Sequence, residues 1–239
     1  GEEETVLDLT VKKGMNQGWF GNADVAGGTE DRYMGRFMLN RFVDKTQVSV
    51  VGSANNVNDQ GFSGGGGPPR WRRNNGLTAT KMLGVNFATQ TDKLELGGSA
   101  RYNYQDGDIA SIGSTEDFLP DGNSYSNSNS RQRNKAKNFN ADFRMEWKPD
   151  SMTNIIFRPN FSYGKTDNLS NSESGTFSSD PYSLVSDPNN WLNLEKILNP
   201  DDDPLRSIRI NAINSGSLSD NKSVSTDATL QLNRKLNDK

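Results

Sequence analysis

Apolar and polar residues alternate along most of this chain with a period of two, the pattern of a β-strand with two different faces. The two clearest segments are 94–104 and 139–147. In the first, one face carries Leu94, Leu96, Gly98, Ala100, Tyr102 and Tyr104. In the second, one face carries Phe139, Ala141, Phe143, Met145 and Trp147. Helical spacing is nearly missing, so the pattern predicts an all-β fold.

The same alternation recurs in seven further segments. They are 5–12, 18–27, 33–40, 47–54, 83–87, 153–163 and 224–233. Together these patterns predict about nine strands of roughly 8–13 residues. Ordinary strands average about 5–6 residues, whereas a tilted strand that crosses a bilayer needs about 9–11. The predicted lengths favour the second class.

Short and long connections alternate between these segments. Residues typical of tight turns stand at 43–45, 91–93 and 148–151. Long polar connections are predicted near 57–77, 106–136 and 166–222. Short turns on one rim and long loops on the other are typical of outer-membrane β-barrels. The sequence therefore predicts an antiparallel meander of long strands that forms part of such a barrel.

Lipid offers no hydrogen-bond partners, so the backbone of a membrane sheet must pair between strands. In that arrangement the apolar row faces lipid and the polar row faces the lumen. The predicted polar row is Arg36, Asn40, Glu95, Arg101, Asp142, Arg144, Glu146, Arg158 and Asp227. In a water-soluble sandwich the apolar rows would face each other instead. A soluble extracellular binding or adhesin-type module is therefore the alternative prediction.

Two neighbouring segments near the start resemble a known family. They read Val-Leu-Asp-Leu-Thr-Val-Lys-Lys at 6–13 and Gly-Trp-Phe-Gly-Asn at 18–22. The stretches 36–42, 44–47 and 52–62 continue the likeness. The chain resembles Bacteroidetes outer-membrane β-barrel proteins related to TonB-dependent receptors, most densely over residues 5–62.

The resemblance implies a receptor or transporter for substrate uptake in the cell outer membrane. The implied partners are outer-membrane lipid, the remainder of the barrel with its plug, and a TonB-type energy complex. Large transporters of this kind use 22 strands. Residues 1–239 are therefore expected to be one partial β-barrel domain, the N-terminal part of the barrel, with the plug domain and remaining strands outside it.

Composition removes most catalytic hypotheses. The chain has neither Cys nor His, which excludes thiolate zinc sites, Cys nucleophiles and Ser-His-Asp triads. The net charge of -3 gives no strong field for nucleic acid. We therefore predict no enzyme activity, no cofactor and no nucleic-acid partner.

The predicted loops hold three candidate sites. Arg70, Trp71, Arg72 and Arg73 combine charge with an aromatic ring, which suits an anionic or sugar ligand, although a solvated loop tip is favoured. Asp180, Asp187 and 201–203 carry calcium-type oxygen ligands without EF-hand spacing, so a plain acidic loop is favoured. The segment 191–198 is predicted to be a short helix that packs on the loop base.

Overall fold

One antiparallel β-sheet makes up most of the computed structural model, which describes residues 17–58, 76–120 and 122–235. Each strand pairs with its neighbour in sequence, so the predicted all-β meander is confirmed. The strands are β1 (Gln17–Gly27), β2 (Tyr33–Val43), β3 (Thr46–Asn55), β4 (Leu77–Gln90), β5 (Leu94–Asp117), β6 (Ser124–Trp147), β7 (Thr153–Phe177) and β8 (Arg209–Arg234). The predicted strand at 5–12 lies outside the described residues.

The connections divide between two rims. At one, which we call the turn rim, the strands are joined by 44–45, 91–93 and 148–152. At the other, the loop rim, they are joined by 28–32, 56–76, 118–123 and 178–208.

Residues within the tight turns stabilise them. Asp44 takes a positive φ of 50°, and Asp150 accepts backbone hydrogen bonds from the N–H groups of Met152 and Thr153 at 2.8 and 2.7 Å. The Met152 N–H is the main reason that the pKa of Asp150 is lowered.

Two of the three predicted long loops are wrong in extent. The connection predicted at 106–136 shrinks to 118–123, because β5 and β6 continue through most of it. The connection predicted at 166–222 shrinks to 178–208. Both faces of these strand extensions are mostly polar, and their few apolar residues, such as Ile109 and Ile112, fall on opposite faces, so they lack the alternation that identifies a half-buried strand. The backbone pairing that begins in the apolar part of each hairpin continues without a break into its polar extension.

The third predicted loop, 57–77, lies largely outside the described residues. Its base is held by Asn58, whose side-chain amide donates to the Gly76 carbonyl at 2.9 Å. The Asn58 carbonyl oxygen accepts from the Thr78 N–H at 2.8 Å. The two ends of this connection are therefore joined directly at the loop rim.

The strands are staggered along the sheet. We use the word rung for residues that lie directly opposite one another on successive strands. One rung runs through Val43, Thr46, Thr89, Leu96, Met145, Phe157 and Leu230. Val43 is the last residue of β2, whereas Leu230 stands four residues before the end of β8. At about 3.3 Å per residue and about 4.8 Å between strands, this stagger corresponds to a tilt of roughly 25°.

A close contact between Phe37 and Gly52 helps to join β2 to β3. The two residues are directly opposite, and a Cβ placed on Gly52 would lie 2.3 Å from Cε1 of the Phe37 ring. The aromatic ring therefore occupies the space that a side chain at position 52 would need.

Gly52→Val should force the Phe37 ring out of its place and lower the free energy of unfolding by about 1–3 kcal/mol, the usual range for overpacking. Gly35→Val is the matched control, since no atom lies within 4 Å of a Cβ built there. Thermal unfolding followed by tryptophan fluorescence measures both. Equal loss of stability in the two variants would contradict this account of the contact.

Candidate functional site: a two-faced sheet and its loop cap

Adjacent rungs of the sheet have opposite chemistry. One rung contains Gly21, Leu39, Val50, Val85, Ala100, Ala141, Phe161 and Thr226. The next contains Phe20, Asn40, Ser49, Asn86, Ser99, Asp142, Asn160 and Asp227. Because successive residues of a strand point to opposite faces, the first rung belongs to an apolar face and the second to a polar face. The sequence-based assignment of the two faces is therefore confirmed.

The apolar face carries a continuous band across all eight strands. We define the apolar band as the residues of this face that lie between the rung of Val43, near the turn rim, and the rung of Phe37. The rung of Phe37 also contains Gly52, Leu83, Tyr102, Phe139, Tyr163 and Val224. Within the described residues, its only charged member is Arg41. The Arg41 guanidinium lies 5.1 Å from the centre of the Trp19 ring, near the turn rim.

The described part of the chain places no second layer over the apolar band. Leu83 is 50% exposed and Leu230 is 71% exposed, while Leu96 and Met145 are only half-buried, by their neighbours in the sheet. Of the four buried apolar side chains in this part, three lie beyond the band, at the end of β7 (Phe177) and in the loop that follows it (Leu192 and Leu205). A soluble sandwich would bury the band in a core, so the sheet lacks the packing that this alternative requires.

The polar face is lined by ion pairs and hydrogen bonds. Arg144 contacts Glu146 at 2.7 Å and Glu95 at 3.4 Å, so both carboxylates form ion pairs. Asp142 instead accepts a hydrogen bond from the Ser99 hydroxyl. Arg36 contacts Asp24 at 2.7 Å across β1 and β2. Several charges of this face therefore pair with one another.

Salt bridges also cross the polar extension of the β5–β6 hairpin. Arg131 donates two hydrogen bonds to Asp108, at 3.1 and 2.7 Å. These bonds lower the pKa of Asp108 and raise the pKa of Arg131. Arg133 contacts Asp106 at 3.2 Å. Such cross-strand pairs hold a ribbon that has no apolar face.

The connection 178–208 folds into a small cap at the far end of β6 and β7. It contains the helix α1 (Leu194–Leu198) and 3₁₀ turns at Pro181–Ser183, Pro188–Trp191 and Pro200–Asp202. Phe177, Leu192 and Leu205 form its core. Beside this core, Asp203 and Arg209 form a buried ion pair, and Arg209 also donates to the Trp191 carbonyl at 3.0 Å.

A cavity of about 280 Å³ lies between this cap and strands β5, β6 and β7. Its lining is mainly hydrogen-bonding, with amides from Asn129, Asn171 and Asn189 beside Arg131 and Glu173. The Asn129 amide donates to the Asn189 carbonyl at 2.8 Å, which ties β6 to the cap. The Asp187 carboxylate also lines the cavity, where it accepts hydrogen bonds from the Asn189 N–H at 3.2 Å and the Asn190 amide at 2.8 Å.

The candidate ligand residues Arg70, Trp71, Arg72 and Arg73 lie outside the described residues. The acidic residues weighed as calcium ligands have separate structural roles: Asp180 and Asp187 cap 3₁₀ turns, and Asp203 pairs with Arg209. Across 17–58, 76–120 and 122–235, no group of three or more side chains could hold a metal ion.

The predicted helix at 191–198 is partly wrong. A 3₁₀ turn ends at Trp191, and the α-helix spans only Leu194–Leu198, because Asn193 begins a new N-terminus by accepting from the Lys196 N–H. Within this segment Leu192 is buried in the cap core, whereas Leu194 and Leu198 are 49% and 68% exposed. The break between the two helical turns redirects the apolar side chains.

No helix in the described ranges is long and apolar enough to cross a membrane. No protein-family model matches the chain, and no curated protein or solved structure is significantly similar to it.

Asp203→Asn should loosen the cap, because it leaves the Arg209 charge buried without its anion. Breaking a buried pair in this way typically costs about 3–5 kcal/mol. Hydrogen exchange and limited proteolysis over 178–208 would report the opening. Asp201→Asn is the control, since Asp201 is fully exposed and lies 3.9 Å from Arg206. Equal protection of the cap in Asp203→Asn and wild type would contradict the role of the pair.

Proposed function

We propose that this chain is a membrane-embedded segment of an outer-membrane receptor or transporter, similar to TonB-dependent receptors, which acts in substrate uptake. The observation that carries the proposal is the apolar band, which crosses a single sheet and has no protein layer over it in the described residues. Acyl chains are the partner that such a band matches best, because each strand already satisfies its backbone through its neighbours.

The dimensions of the band support a lipid environment. Its outer rung lies seven residues from the end of β4 at Leu83 and ten residues from the start of β7 at Tyr163. At about 3.3 Å per residue and the estimated tilt, this places the rung roughly 21–30 Å from the turn rim. The apolar band of outer-membrane barrels is about 25 Å tall. Trp19 and Trp147 near the turn rim, with Tyr102 and Tyr163 on the outer rung, match two aromatic girdles.

The remaining parts fit uptake at the loop rim. Strands β5 to β8 are 24 to 26 residues long, far more than a bilayer crossing needs, so their polar hairpins would project from the outer surface. The paired charges of the polar face suit a wet or plugged lumen. The rest of the barrel, a plug and a TonB-type energy complex belong to the proposal through the resemblance alone.

Val85→Arg should impair folding into lipid vesicles by about 2–4 kcal/mol, because it places a charge at the middle of the apolar band. Asn86→Arg is the matched control on the adjacent residue of the same strand, which points to the polar face. Urea titration of the protein folded in phosphatidylcholine vesicles measures both.

A soluble module gives the opposite pattern. In that case the wild-type protein is monodisperse in buffer without detergent and does not insert into vesicles. That result would overturn the proposal.

A further inference from the structure

Lysines form a row along the outer edge of the apolar band. Beyond Tyr102 and Tyr163, the next rung on the apolar face contains Lys81, Tyr104, Lys137, Lys165 and Lys222. All five residues are on the apolar face, because they lie two positions along their strands from members of the band. We call this set the lysine row.

The lysines lie within about 9 Å of one another in height above the turn rim. Lys81 is nine residues from the end of β4 and Lys137 is ten from the end of β6. Lys165 and Lys222 are each twelve residues from the turn-rim ends of β7 and β8. At the estimated tilt these separations correspond to roughly 27–36 Å from the turn rim. In the membrane arrangement proposed above, this is the level of the outer headgroups.

The positive charges of the lysine row are only partly neutralised by carboxylates of the described residues. Lys137, Lys165 and Lys222 are directly opposite one another on three successive strands, and like charges in such positions repel. Lys165 is neutralised by Asp167 at 3.3 Å and Asp220 at 3.5 Å. Within the described residues, no carboxylate lies within 4 Å of the ammonium groups of Lys81, Lys137 or Lys222. These three side chains are exposed.

The next rung outward on the same face contains three aspartates as well as a lysine. It contains Ala79, Asp106, Lys135, Asp167 and Asp220. Asp106 is occupied by Arg133 at 3.2 Å and Lys135 at 3.9 Å, and the other two aspartates hold Lys165. The carboxylates of this rung are therefore already paired with cations, and they leave Lys137 and Lys222 available to an external anion.

We propose that the lysine row binds the phosphate groups of anionic lipid headgroups in the outer leaflet. The inference rests on the proposed function, because it places the apolar band in acyl chains. A lipid is the one anion source that presents a phosphate directly beside an apolar surface. The Lys222 ammonium lies 5.9 Å from the centre of the Tyr163 ring, so this charge stands directly beside the aromatic outer rung of the band.

The test compares two double variants of the folded protein. Lys137→Gln/Lys222→Gln removes the two unneutralised charges of β6 and β8. Lys196→Gln/Arg206→Gln removes two positive charges from the loop cap, whose core residue Phe177 stands twelve residues beyond Lys165 on β7, about 40 Å away. Binding of lipid A and of phosphatidylcholine is measured by native mass spectrometry, and thermal unfolding is followed in nanodiscs with and without lipid A.

We expect wild type and the cap variant to retain lipid A in preference to phosphatidylcholine. The Lys137→Gln/Lys222→Gln variant should bind it on the order of thirtyfold more weakly, since each basic residue at an anionic surface contributes about a factor of five. The preference should weaken in high salt. Inorganic phosphate at the same concentration should give no thermal shift, which separates a lipid site from a free-phosphate site.

Two failures are distinguishable. If the protein inserts into nanodiscs but the lysine variant keeps the wild-type preference for lipid A, or inorganic phosphate reproduces the shift, the lysine row is not a lipid site. If no variant, wild type included, inserts into any bilayer, the proposed function itself fails.

Discussion

Lateral backbone pairing is the constraint on which the rest of this structure depends. Within the described residues the sheet has no second layer, so each strand is held mainly by hydrogen bonds and side-chain contacts with its neighbours, two for β2 to β7 and one each for β1 and β8. That ladder sets the register, and the register decides which side chains share a face. A slip of one residue in the pairing of β4 would move Val85 to the face that now carries Asn86.

The same ladder explains why four strands continue far beyond the apolar band. Once Leu96 and Met145 set the pairing of β5 with β6, each further residue pair extends an existing ladder and nucleates nothing new. The salt bridges between Asp108 and Arg131 and between Asp106 and Arg133 then stabilise a ribbon that is wet on both sides. These extensions carry the loop cap away from the band, which suits a surface that meets soluble ligands.

The two faces divide the chemistry of the sheet. Charges on the polar face pair with each other, as Arg144 does with Glu95 and Glu146. On the other face a charge-poor band ends abruptly in the lysine row. This boundary between an aromatic and a cationic rung matches the boundary between acyl chains and headgroups. In the proposed membrane orientation, it marks the end of the band that faces the outer headgroups.

The sequence by itself determined the fold class, the tight turns and the division into two faces, because alternation with a period of two is a local property of each strand. It did not reveal that 106–117 and 124–136 are strands, since polar residues on both faces leave no periodic signal. The lysine row was equally hidden, because its members are 28 or more residues apart except for Lys81 and Tyr104. Only the tertiary register brings these positions onto one rung, and only the folded cap decides that Leu192, rather than Leu194 or Leu198, is buried.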